Sequence, residues 1–177
     1  MSFQNEEEKT NIKSAPSNGP HEVKLEKWIS CAPFEKLLGI KIIKAENGRA
    51  DLIMPFVFKL AQGRGIAHGG AIITLADTAV AMAVKSVVPQ GSRFGTISLN
   101  SEFLAPVTQG VLTAKAEIKL LEDRKVQGVA TVFNEENKPV MKFTSLFKLA
   151  KDVKIETKQD KKEKIENLTE YVRKAAK

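Results

Sequence analysis

Residues 62–88 read QGRGIAHGGAIITLADTAVAMAVKSVV, and this stretch decides the fold. It opens as a glycine-rich loop whose only polar ring is His68, and Gly69 and Gly70 then lead into a long apolar run. Ile72, Ile73, Leu75, Ala76, Ala79, Val80, Ala83, Val84 and Val87 recur at helical spacing around nearly the whole circumference. That pattern predicts a helix buried almost all round. Pro89 and Gly91 are placed to end it. One acid, Asp77, lies inside, on the stripe of Ile73, Val80 and Val84. An ionised carboxylate on a buried apolar face costs free energy unless something compensates it. A conflict of this kind between position and local rule marks a candidate functional residue.

Strand signals flank this helix on both sides. Upstream, Leu25, Trp28, Ile29, Phe34, Leu37 and Leu38 suggest a short helix over 25–38, interrupted near Pro33, with Gly39 as its stop. Residues 40–45 and 50–57 read as two strands around Glu46-Asn47-Gly48, and Asn47-Gly48 is a strong hairpin signal. Downstream, 94–104, 111–121, 125–133 and 140–149 read as strands, with NEENK at 134–138 as a turn. A helix that is apolar all round is covered by an antiparallel meander only if the sheet curls about it. The expected class is therefore α+β, one long helix wrapped in an antiparallel sheet.

The 177 residues suffice for one domain with a sizeable core. The organisation expected is a polar N-terminal segment without fixed structure over 1–24, a folded domain over 25–150 and a charged tail over 151–177. His21 reads as a solvated side chain at the first boundary. Val153, Ile155, Ile165, Leu168 and Val172 give the tail a weak amphipathic pattern, read as a solvated helix or frayed end. The formal charge of +7, from 28 basic and 21 acidic residues, is spread along the chain. It suits an anionic ligand at least as well as nucleic acid. The single cysteine, Cys31, excludes an internal disulfide and a multi-cysteine metal site, and beside Trp28, Ile29 and Phe34 it reads as a packed thiol. No run reaches the length of a membrane span and the first residues lack a signal-peptide pattern, so the expected location is the cytoplasm.

The chemistry begins with Gly69 and Gly70, which put backbone N–H groups at a helix N-terminus with no side chain in the way. Such a terminus binds an anion or stabilises a carbonyl oxygen as charge develops on it. Asp77 offers a carboxylate as general base or nucleophile. Eight residues of helix separate Gly69 from Asp77, about 12 Å along the axis. One reacting carbonyl cannot touch both. If both serve one site, they come from two antiparallel copies of the helix, which implies a shared site at a two-fold interface.

The spacing of Gln62, His68-Gly69-Gly70 and Asp77, followed by a strand ending in Phe103-Leu104 and by Pro106, resembles the hot-dog fold acyl-CoA thioesterases. The nearest group is the phenylacetate-degradation (PaaI-like) thioesterases of the 4-hydroxybenzoyl-CoA thioesterase superfamily. The resemblance covers about residues 30–150 and explains neither tail. It rests on an HGG at a helix start, an acid nine residues after the histidine and an amide six before it. It implies an acyl-CoA substrate, no metal or redox cofactor, a homodimer or homotetramer, and neither nucleic acid nor membrane as partner. Position by position, it implies that the Gly69 N–H polarises the thioester carbonyl and that Asp77 of the facing subunit is the nucleophile or activates water. Gln62 would hold the thioester or the lytic water, His68 would support the loop, and Thr96 would assist the acid. Arg124 matches a region that contacts the nucleotide end of CoA.

The sequence departs from that pattern twice. Ala81 stands one turn after the acid, where other members carry Ser or Thr, and this shifts the assisting role to Thr96. Ala105 replaces the Arg of FLRP, so one phosphate contact is missing or falls to Arg93, Lys115 or Lys125. Two other readings compete. One is a hot-dog hydratase or dehydratase, whose histidine sits in a different loop context from GIAHGG. The other is a non-catalytic acyl-CoA sensor, for which the N-terminal segment is too short to hold a DNA-binding module.

Overall fold

The computed structural model describes residues 23–121 and 123–153. The expectations for the N-terminal residues through 22, His21 included, and for 154–177 lie outside the described residues. In chain order come helix α1 (Pro33–Leu37), strands β1 (Lys41–Glu46) and β2 (Arg49–Pro55), a 3-10 turn (Phe58–Leu60) and helix α2 (Gly69–Lys85). Strands β3 (Phe94–Phe103), β4 (Val111–Leu120), β5 (Lys125–Phe133) and β6 (Pro139–Leu149) follow.

The strands form one six-stranded antiparallel sheet against which α2 packs. Period-two alternation puts Leu52 and Met54, Leu112 and Ala114, Val126 and Val132, and Phe143 and Phe147 on the helix side, all almost fully buried. Leu75, Ala76, Ala79, Val80, Ala83 and Val84 of α2 meet them with no exposed surface. A leucine buried so completely contributes about 1.5–3 kcal/mol relative to leaving it exposed. Small residues on both sides bring helix and sheet close. A Cβ on Gly128 of β5 would run into the Val80 side chain. The Asn47-Gly48 turn has both residues at positive φ, as a two-residue hairpin requires. Its tip is tied to the end of α2, where Ser86 Oγ accepts the Gly48 N–H at 2.9 Å.

Four expectations change. First, the strands are not a sequential meander: the order is β1-β2-β4-β5-β6-β3. β3 pairs with β6 at one edge, and residues 104–110 return the chain across the sheet to place β4 beside β2. That crossing is fixed where Ala67 N–H donates to the Val107 carbonyl and Phe56 N–H to the Gly110 carbonyl. Second, Pro33 starts α1 rather than interrupting a longer helix, as its missing N–H suits the first helical position. The residues before it are irregular, and Trp28 Nε1 anchors them by donating to the Lys85 carbonyl at 3.1 Å. Third, α2 ends at Lys85, four residues before Pro89, with Ser86 as its cap.

The fourth change bears on function. α2 is not covered all round. Ile73, Thr74, Asp77, Ala81 and Lys85 are only half-buried and Gly70 is exposed, so a stripe along one side faces away from the sheet. Asp77 lies on that open stripe. Beside it β3 is exposed along nearly its whole length, with Ile97, Leu99 and Phe103 about half in solvent.

Candidate active site

The loop over 62–68 folds back on the 3-10 turn. Gln62 N–H donates to the Ile66 carbonyl, and His68 N–H to the Leu60 carbonyl, both at 2.8 Å. This delivers His68 as the N-cap of α2, with extended backbone at φ −66° and ψ 128°. Its Nδ1 accepts the Gly70 N–H at 3.0 Å, which leaves Nε2 as the protonated ring nitrogen. Ala71 and Ile72 N–H groups bond to the His68 carbonyl. The Gly69 N–H is thus the first-turn donor with no acceptor among the described residues.

A cavity of about 410 Å³ adjoins Gly69, lined by Gln62, Gly69, Ile72, Phe103, Leu104 and neighbouring apolar residues. Gln62 Oε1 is engaged by the Arg64 N–H at 2.9 Å, so its amide nitrogen is the end left to act in the cavity. The polar groups offered there are N–H donors in apolar surroundings, the complement of a carbonyl oxygen that gains negative charge. Phe103 forms one wall: a Cβ on Gly69 would lie 2.9 Å from its ring Cζ, so only glycine leaves the ring undisturbed.

Asp77 stands two turns further along α2. The Thr96 hydroxyl of β3 donates to it, 3.1 Å from Oδ1 and 3.3 Å from Oδ2. Burial pushes the Asp77 pKa above the ordinary aspartate value, and the Thr96 hydrogen bond pulls it partway back. Asp77 does not line the cavity at Gly69, in keeping with their separation along one helix.

Arg124 lies apart from both, at positive φ in the β4–β5 turn, with Nη1 donating to the Leu149 carbonyl at 2.9 Å. Arg93 pairs with Asp152 at 3.5 Å. Lys115 lies over the Phe133 ring and faces the outer side of the sheet. A depression of about 660 Å³ lies on that outer side among Arg49, Asp51, Lys115 and Glu117. It contains neither Gly69 nor Asp77, and its charges sit opposite one another on paired strands, so we do not place chemistry there. Sequence reasoning brought Phe103 in only as part of a motif. Its contact with Gly69 joins the end of β3 to the start of α2, and nothing local in the sequence announces it.

Comparison with known proteins places the chain in a family. Residues 64–141 match the Thioesterase superfamily. The chain is 34% identical over 111 residues to the acyl-coenzyme A thioesterase PaaI of Escherichia coli, covering 61% of this chain and 76% of that protein. It is 34% identical over 85 residues to the 1,4-dihydroxy-2-naphthoyl-CoA hydrolase of Listeria monocytogenes, covering 48% of this chain and 68% of that one. The crystal structure of the E. coli PaaI protein superposes with a TM-score of 0.61 at 30% identity, over 66% of this chain and 83% of that chain. The protein is a thioester hydrolase with the hot-dog α+β fold. It belongs to the thioesterase superfamily, and within it to the PaaI-like group.

Proposed function

We propose that the protein hydrolyses acyl-CoA to a free carboxylic acid and CoA in a site shared between two copies of the chain. The observation that carries this reading is the pair of donors without a partner among the described residues, Gly69 N–H and the Gln62 amide, at an apolar cavity with an acid out of its reach on the same helix. The thioester oxygen sits against the two donors, and negative charge grows there as the carbonyl carbon becomes tetrahedral. Asp77 of the facing copy either takes a proton from the attacking water or attacks the carbon itself. The C–S bond then breaks and CoA leaves as a thiolate that takes up a proton, from the protonated Asp77 in the first route and from water in the second. In the second route water must also hydrolyse the acyl–Asp77 anhydride, which releases the free acid and restores the carboxylate. A carboxyl whose pKa is raised toward neutrality is the better proton acceptor. Thr96 holds its orientation, and His68 fixes the helix start so that the Gly69 N–H stays unspent. The remaining guanidinium N–H groups of Arg124 are assigned to a phosphate of CoA.

The open stripe of α2 and the unpaired edge of β3 support the second copy. Both expose apolar side chains beside Asp77, and both would be covered by an antiparallel α2 and a facing β3. We place the enzyme in the cytoplasm, where its lone thiol stays reduced. The test is thiol release from a panel of acyl-CoAs. The parent should turn over at least one of them, and Asp77→Asn should lower the rate about a hundredfold or more while CoA still binds. Parent-like turnover by Asp77→Asn would remove the acid from the mechanism.

A further inference from the structure

Phe103 ends β3 directly opposite Met141 of β6, which is fully buried. Facing residues of paired strands share a face, so the Phe103 side chain stands on the helix side of the sheet. There the tip of its ring meets the start of α2. A Cβ on Gly69 would lie 2.9 Å from Cζ, 3.4 Å from Cε1 and 3.6 Å from Cε2. One carbon added at that point is already too close, although the ring is about half in solvent. The same ring, with Gln62, Ile72 and Leu104, lines the cavity at Gly69. A carbonyl oxygen that accepts the Gly69 N–H lies about 2.9 Å from the nitrogen, with its carbon about 1.2 Å further on. The substituents of that carbon then share the cavity with the ring.

On one side of a thioester carbonyl is sulfur followed by an unbranched methylene, the same in every CoA ester. On the other side is the acyl α-carbon, which bears extra carbon when the chain is branched there. A wall beside the carbonyl therefore tells one acyl-CoA from another at close range only through the α-carbon. From this and from the tight fit of the ring against the helix start, we propose that Phe103 is a specificity-determining residue. It leaves room for an acyl group that is unbranched next to the carbonyl and excludes one that carries a methyl there. The cost is that of forcing one more carbon into a filled space. The assignment rests on the thioesterase reading and adds a substrate class to the donor half of the shared site, with Asp77 arriving from the facing copy.

The test reads kcat/KM by thiol release from the full chain. Its substrates are straight-chain acyl-CoAs from butanoyl to dodecanoyl and phenylacetyl-CoA, each beside its 2-methyl counterpart, with benzoyl-CoA added. On the substrates it turns over, the parent should favour the unbranched member at least about fivefold. Phe103→Ala and Phe103→Leu should each raise the ratio of branched to unbranched at least about fivefold, by removing the ring tip. Phe103 is half-exposed, so both variants should fold, and melting curves and light scattering check fold and assembly. Should Phe103→Ala fail either check, Phe103→Leu, which keeps an apolar side chain at the strand end, decides. Three results would overturn the assignment and leave the thioesterase reading standing. They are a parent that prefers 2-methyl or benzoyl substrates or treats each pair alike, variants with an unchanged ratio, and variants that change both members of a pair equally. The last is expected of a ring that touches only the CoA arm or merely holds Gly69 in place. A parent that releases thiol from no acyl-CoA would overturn the thioesterase reading, and this one with it.

Discussion

At Asp77, burial and one hydroxyl act in opposite directions on the same proton. Burial raises the pKa and Thr96 lowers it. Activity that needs the carboxylate should therefore rise with pH along a limb displaced above the ordinary aspartate range. Thr96→Val removes the opposing contribution, so the limb in kcat/KM should move to higher pH; a limb that stays put or moves down would show that Thr96 does not act through Asp77. Stability follows the same proton. A folded-state pKa above the unfolded value means that the contribution is fully present below the unfolded pKa and is lost as pH rises through the folded one. Asp77→Asn, which lacks this titration, should gain in melting temperature relative to the parent as pH rises through that window, with the relative gain absent below it. The acid was legible in the sequence because a carboxylate inside an apolar helical run stands out. Its surroundings were not. The stripe that Asp77 occupies is apolar in composition but open in space, because the face of a helix that a sheet leaves uncovered depends on strand order.

The helix packs most closely on the sheet's β5 at Gly128. The absent side chain of Gly128 makes room for Val80, which is fully buried. Gly128→Ala overpacks that crossing and should destabilise the protein by about 1–3 kcal/mol, read as a shift of the urea midpoint. A midpoint unchanged from the parent would mean the helix lifts off without strain. The elements themselves were mostly readable, since alternation gives a strand its identity and Asn47-Gly48 its partner. β3 was misplaced because its pairing with β6 spans the whole second half of the chain, and a meander is the default when only local signals are used. α1 was overextended because Trp28 and Ile29 continue its apolar spacing. They are half-buried against the core instead, with the Trp28 indole bonded to the Lys85 carbonyl.

For the molecule as a whole, the separation of Gly69 from Asp77 along one straight helix has a consequence that no single chain satisfies. In the shared site proposed above, the N–H donor comes from one copy and the carboxylate from the other. Gly69→Pro deletes the donor at the first helical position, where proline is tolerated, after a His68 whose extended backbone suits a residue before proline. Its ring still displaces Phe103, so Gly69→Ala, which adds the same Cβ but keeps the N–H, serves as its control. The proline variant should be slower than the alanine one by about a hundredfold, as for loss of one oxyanion donor. The most direct measurement coexpresses Gly69→Pro with Asp77→Asn under two different tags, isolates the mixed species and measures thiol release from acyl-CoA. In a mixed dimer one site inherits both intact groups and the other neither, so the isolated hybrid should recover about half the parent rate from two nearly inactive partners. A hybrid that forms but shows only the average of its two partners would place Gly69 and Asp77 in separate sites and contradict the shared mechanism.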